Sequence, residues 1–172
     1  MSDFHLMYIL ELKHYDESGS ILWETEEIIP NIVHRQGEEF VLQKMFNTSS
    51  SVVIPTNYYL GLDARIVLSD TDTLSSLIAE PTTNGYARQP VSSFNGFSVS
   101  LGPNNNYRAI SNSVVFSATG GSWGPVRDLF LTNVSSGTSG YLISSAPLGS
   151  SRTVNSGQSL SARIAVSLGN CS

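Results

Sequence analysis

The sequence predicts a mainly β protein: a jelly-roll-like antiparallel β-sandwich with one or two short helices and an N-terminal β-hairpin extension. Two observations carry this. Of 172 residues 40% are apolar and only 13% charged, so Ser, Thr, Asn and Gly fill the polar positions, a balance typical of β-rich chains with many turns. Residues 92–172 hold 20 serines, which punctuate short apolar runs at a spacing that fits a sandwich or barrel of short antiparallel strands. No solenoid period and no heptad competes with that reading. A chain of this length buries a real core in one compact domain.

In chain order, Phe4, Leu6, Tyr8, Leu10 and Leu12 alternate along "FHLMYILEL" and define one face of a strand. The turn-rich "HYDESGS" and then "ILWETEE" complete a hairpin, with Trp23 in its second strand and Glu24, Glu26 and Glu27 along its polar edge. "GEEFVLQKMF" changes period: Phe40, Val41 and Met45, with Leu42 beside them, share a helical face, and Glu38 and Glu39 sit near the positive N-terminal end. "NYYLGLDARIVL" reads as a strand. "SDTDTLSSLIAE" offers Thr71 or Asp72 as the cap of a second short helix carrying Leu74, Leu77 and Ile78, ended by Pro81. The later strands are "FSVSL", "SVVFSA", "VRDLFLT", "GYLISSAPL" and "SLSARIAVSL". The chain therefore divides into an acidic N-terminal hairpin or arm, residues 1–36, and a sandwich, residues 37–172.

Charge narrows the partners. The net charge is −5, and it is uneven: residues 1–44 carry −6 and the rest +1. No basic stripe offers phosphate contacts, so nucleic acid is not an expected partner. An acidic arm meeting a basic surface is the better use. The N-terminal apolar run is too short for a membrane span and lacks the basic flank of a signal peptide. Cys171 is the only cysteine, which removes an intrachain disulfide and a cysteine zinc site.

No catalytic constellation emerges. His5, His14 and His34 have no partner at helical metal-ligand spacing and read as exposed strand and loop histidines. "SDTDTL" lacks the glycine and the closing acid of a calcium loop, so Asp70 and Asp72 read as helix caps. No G-x-S-x-G elbow presents a serine, and no phosphate or dinucleotide loop is present. Glu80 has no second carboxylate nearby, since residues 81–127 contain no acid. No metal, cofactor or catalytic residue is expected. "EPTTNGYARQPV", Glu80 to Val91, reads as a joint between the first half and the sandwich. Its Asn84-Gly85 turn brings Glu80 towards Arg88, Tyr86 supplies a ring to anchor, and Arg88 and Gln89 can tie the loop to backbone carbonyls. Trp123, between Gly121 and Gly124, is a second candidate core or partner-contact ring.

The order and spacing of "YYLGL", "EPTTNGYARQPV", "NSVVFSATGGSWGPVRDLFL" and "RTVNSGQSLSARIAVSL" resemble a family of small β-rich virion structural proteins of tailed bacteriophages, over about Glu38 to Leu168. The resembling positions include Tyr59, Leu60, Leu62, Glu80, Pro81, Gly85, Tyr86, Arg88, Phe116, Trp123 and Gly157. The resemblance implies a head decoration (cement) or tail-fibre-like protein without catalytic activity. The expectation is a decoration protein, made in the host cytoplasm, that forms a homotrimer and binds the major capsid protein lattice, with residues 1–36 as adaptor. The alternative is a tail-fibre or tail-tip module that binds a host surface or another tail protein.

Overall fold

The computed structural model describes residues 7–25, 29–30, 32–47, 51–65, 68–102 and 105–167. The elements are β1 (Met7–Tyr15), β2 (Ile21–Thr25), β3 (Ile29–Pro30), β4 (Ile32–Val33), α1 (Arg35–Phe46) and β5 (Asn57–Asp63). A 3-10 turn (Leu74–Ser76) follows, then β6 (Gln89–Ser92), β7 (Phe97–Leu101), β8 (Tyr107–Ser111), β9 (Val114–Ser117), β10 (Trp123–Thr132), β11 (Leu142–Val154) and β12 (Ser159–Ser167). The fold is mainly β, a sandwich of two antiparallel sheets. One runs β2-β1-β12-β8-β7, with β3 on the other half of β1 and β9 on the other half of β12. The second runs β4-β11-β10-β5-β6.

The core lies between the sheets. Ile9, Leu12, Phe116, Leu160, Ala162 and Ile164 from the first meet Leu60, Leu62, Val126, Leu129, Leu131 and Ala146 from the second. Each fully buried large side chain among them stabilises the fold by about 1.5–3 kcal/mol. Period-2 alternation sends Phe130 to the opposite face of β10 from Leu129 and Leu131. There a second cluster of Leu68, Leu74, Leu77, Phe130 and Leu142 forms. The long β5–β6 connection thus caps the outer face of the second sheet. Gly61 sits opposite Phe130 in the β5–β10 ladder, and a Cβ there would strike the Phe130 ring.

Several expectations change. The first strand does not keep one alternation: its pairing with β12 shifts between Ile9 and Glu11. A bulge at Leu10 reverses the phase, so Ile9 and Leu12 both reach the core while Leu10 is only half-buried. Residues 1–36 are not a detached arm where they are described. Strand β1 pairs with β12 from Met7 to Tyr15 and lies inside the sheet, between β12 and β2. The β1–β2 hairpin turn is an Asx turn: Asp16 Oδ1 accepts from the Ser18 N–H (2.9 Å) and the Ser20 N–H (2.8 Å), and Gly19 takes positive φ.

The helix starts two residues before Gly37 and buries only Gly37 and Phe40. Leu42 and Met45 are exposed and Val41 is half-buried. Gly37 is needed because a Cβ there would overlap the backbone carbonyl of Ile143 on β11. The second helix shrinks to a 3-10 turn capped by Thr73, not by Thr71 or Asp72. Leu74 and Leu77 are buried there, while Ile78 points out. Strands β6 and β8 add to the expected set: Pro90 lies in β6, which among the described residues pairs with β5 alone and so sits at the sheet edge, where proline is tolerated.

Candidate functional site

Residues 80–88 form a clasp built by its turn. Asn84 and Gly85 both adopt positive φ (57° and 80°), which reverses the chain so that Arg88 returns to Glu80. Arg88 Nη2 donates to Glu80 Oε2 (2.7 Å) and Nε to Glu80 Oε1 (2.8 Å). The same guanidinium donates to the carbonyls of Val134 (3.2 Å) and Gly137 (3.0 Å) and lies 5.2 Å from the Phe130 ring centroid. Arg88 is buried, and a bidentate ion pair with two further donations to carbonyls is what makes a buried guanidinium tolerable.

Tyr86 fastens the clasp to the core. Its hydroxyl accepts from the Leu62 N–H (2.7 Å) and donates to Glu80 Oε1 (3.0 Å). Burial, then the Glu80 charge, holds the phenol well above its usual pKa. The ring stacks on Phe116 (6.0 Å, 9°) and meets Trp123 edge-on (5.7 Å, 72°). Trp123 is buried and donates through Nε1 to the Ser117 carbonyl (3.3 Å). Asn84 Nδ2 donates to the Ser122 carbonyl (2.6 Å), and Gly85 leaves room for Thr119 where a Cβ would overlap its hydroxyl. Gln89 only closes a local bond to the Ala87 carbonyl (2.9 Å). The structure thus brings Glu80, Tyr86 and Arg88 together in one hydrogen-bonded network, with Trp123 packed against the Tyr86 ring.

The hairpin candidates lie elsewhere. Trp23 is half-buried, its ring covered by the Arg152 guanidinium at 3.4 Å. Glu24 is exposed, with Lys13 Nζ 3.9 Å away. Glu26 and Glu27 lie outside the described residues, as do His5 and Cys171.

The other histidines are not exposed. His34 is fully buried with Nε2 2.8 Å from Ser145 Oγ, and burial lowers its pKa to about 4. His14 is buried against Gln158 Oε1 (3.1 Å), and burial lowers its pKa as well. Long-range strand pairing buries them, which local sequence spacing does not reveal. Asp72 does not cap a helix: its carboxylate takes both Arg65 Nη1 and Nη2 (3.1 Å each). Asp70 pairs with Arg35 (3.2 Å). Among the described residues no group of three or more His, Cys, Asp or Glu could hold a metal ion, and no helix is long and apolar enough to cross a membrane.

Two features escaped the sequence reading. Asp63 and Asp128 are both buried and directly opposite in the β5–β10 ladder. Burial, and then the Asp63 charge, raises Asp128 to about 7. The second feature is an apolar groove of about 420 Å³ at the β7–β8 end of the sandwich, walled by Phe40, Tyr58, Phe97, Val99, Tyr107 and Arg108 among others. Its only trace in the sequence is the alternation of Phe97, Val99 and Leu101 with serines.

The family model of the podophage GP4 fiber I protein gp80 matches residues 35–167. The match runs from the first residue of α1 to the last of β12. No curated protein matches the chain. That match covers more than half of the chain, and the chain belongs to the podophage GP4 fiber I protein gp80 family.

Proposed function

We propose that this protein is a tail-fibre structural module of a tailed phage that works by binding and not by chemistry. The observation that carries the reading is the fiber-family match across α1 and the sandwich. That description favours the tail over the capsid surface, and so the tail-fibre alternative over decoration of the major capsid protein lattice. The mutual hydrogen bonding of Glu80, Tyr86 and Arg88 supports a non-enzymatic role, since these side chains hold loops together. Contact with a host surface or another tail protein fits the exposed side chains at the loop tips. Phe94, in the β6–β7 turn, is 94% exposed, and Ile78 projects from the cap over the second sheet.

Immunogold labelling of intact virions with antibody against the purified protein tests the assignment. Label confined to the tail fibres is expected, and label spread over the capsid shell would return the protein to the decoration role.

A further inference from the structure

Strand β6, its turn into β7 and the connection from β8 to β9 enclose a cavity of about 340 Å³, lined by Asn, Ser, Gly, Pro and Val and by no charged residue. That is the size of a small-molecule site. Its walls are fixed by their backbones: the Ser93 N–H donates to the Thr56 carbonyl (3.0 Å), the Gly96 N–H to the Ser92 carbonyl (2.9 Å) and the Asn112 N–H to the Gly96 carbonyl (2.7 Å). A Cβ at Gly96 would overlap the Ser92 backbone, so the turn closes only around glycine.

The hydroxyls in the lining are engaged as well. Ser92 Oγ accepts from the Phe94 N–H (3.2 Å), and Ser113 Oγ lies 2.7 Å from Ser161 Oγ. The side-chain amides of Asn57, Asn95 and Asn112 are different: all three residues line the cavity, and among the described residues none of these amides makes a hydrogen bond. Each offers two donors and a carbonyl acceptor. Phe94, between Ser92 and Asn95 in the turn, is 94% exposed.

We propose that this cavity binds an uncharged saccharide, whose hydroxyls pair with the amides of Asn57, Asn95 and Asn112 while the Phe94 ring covers an apolar face of the sugar. Neighbouring hydroxyls donate and accept at once without charge, which is what three amides on a rigid frame can match. The C–H groups on the face of a sugar ring carry slight positive charge, and the face of an aromatic ring is negative. A phosphate, carboxylate or ammonium ligand calls for an opposite charge, and the lining holds none. An added peptide strand is the rival occupant, since among the described residues β6 pairs with β5 alone. Its Pro90 opposes that, because proline is one of the devices that keep an edge from pairing. The site deepens the host-surface contact proposed above and rests on that reading.

Binding of the purified full chain to an array of neutral oligosaccharides of glucose, galactose, mannose and N-acetylglucosamine, set beside sialylated and uronic-acid-containing ones, tests the site. The wild type is expected to bind within the neutral set. Asn95→Ala and Asn112→Ala should each weaken that binding about three- to tenfold, as the loss of one hydrogen bond does, and Phe94→Ala should weaken it too. If thermal melting shows that an asparagine variant has lost its fold, Phe94→Ala carries the test, since its side chain is almost wholly exposed. A blank neutral set, binding confined to the acidic oligosaccharides, or undiminished binding by the double variant Asn95→Ala/Asn112→Ala overturns the proposal. The array uses isolated protein, so a blank neutral set beside label on the tail fibres removes the saccharide and leaves the tail assignment standing. Saccharide binding beside label on the capsid shell does the reverse.

Discussion

At the scale of single residues, the carboxylate pair on the outer face of the second sheet is a costly arrangement. Asp63 accepts from the Arg65 N–H (2.9 Å), yet among the described residues Asp63 Oδ2 and Asp128 Oδ2 are buried without a hydrogen-bond partner. Like charges directly opposite in a ladder repel, so Asp128 holds its proton to about pH 7, helped by burial and only partly opposed by Arg65 and Arg127. Asp63 is also raised, chiefly by burial. The folded chain keeps a proton that the unfolded chain releases near pH 4, so this pair lowers stability as pH rises from about 4 to 7. His34 acts in the opposite sense. Its depressed pKa means that the stability it contributes is present above about pH 6.5 and is lost as pH falls towards 4. Asp128→Asn should therefore stabilise the protein at pH 8, by on the order of 2 kcal/mol, and uncover the His34 slope in urea midpoints at pH 4.5, 6 and 8. An unchanged midpoint at pH 8 would refute the account in which burial and the Asp63 charge make ionised Asp128 costly. For the clasp, Arg88→Ala leaves Glu80 unpaired and the Val134 and Gly137 carbonyls undonated. A loss of about 3–5 kcal/mol is expected in chemical denaturation, larger than the loss from the double variant in which Glu80 is also replaced by Gln.

At the scale of elements, β1 decides how the N-terminal segment behaves. It pairs with β12 along its whole length and places Ile9 and Leu12 in the core, although the family match begins only at residue 35. Removing residues 1–36 exposes one side of β12 and opens the core. The truncated chain should lose its cooperative thermal transition, and a truncated chain that melts like the full one would show β1 to be dispensable. Helix α1 is held by close approach and not by a broad apolar face. Gly37 rests on the Ile143 carbonyl, and Phe40 packs edge-on to Tyr58 (6.2 Å) and against Tyr141 (5.5 Å). Gly37→Ala forces the helix away from β11, since the neighbour is backbone and cannot rotate aside. A fall in melting temperature is expected, with greater protease sensitivity near α1. Gly61→Ala meets a ring that can shift, so its cost should be the smaller of the two.

At the scale of the whole molecule, two sheets of unequal width leave part of one apolar face without a cover, at the β7–β8 end. Much of this architecture was legible in the chain. Short alternating runs between Ser, Gly and Asn declare antiparallel strands because side-chain period and turn chemistry are local properties. The clasp was legible for the same reason: Glu80, Asn84, Gly85, Tyr86 and Arg88 lie within nine positions, and a positive-φ turn closes that distance unaided. What local pattern does not carry is which strands become neighbours. The burial of His14 and His34, the meeting of Asp63 with Asp128 across 64 intervening residues, the bulge that turns Ile9 inward and the bare edge at Val99 all follow from long-range pairing. The composition and turn signals in the chain settled a β-sandwich fastened by a clasp. Its buried charges and its open edges were decided only when the two sheets packed, because burial and edge exposure belong to the partners of a strand and not to its own residues.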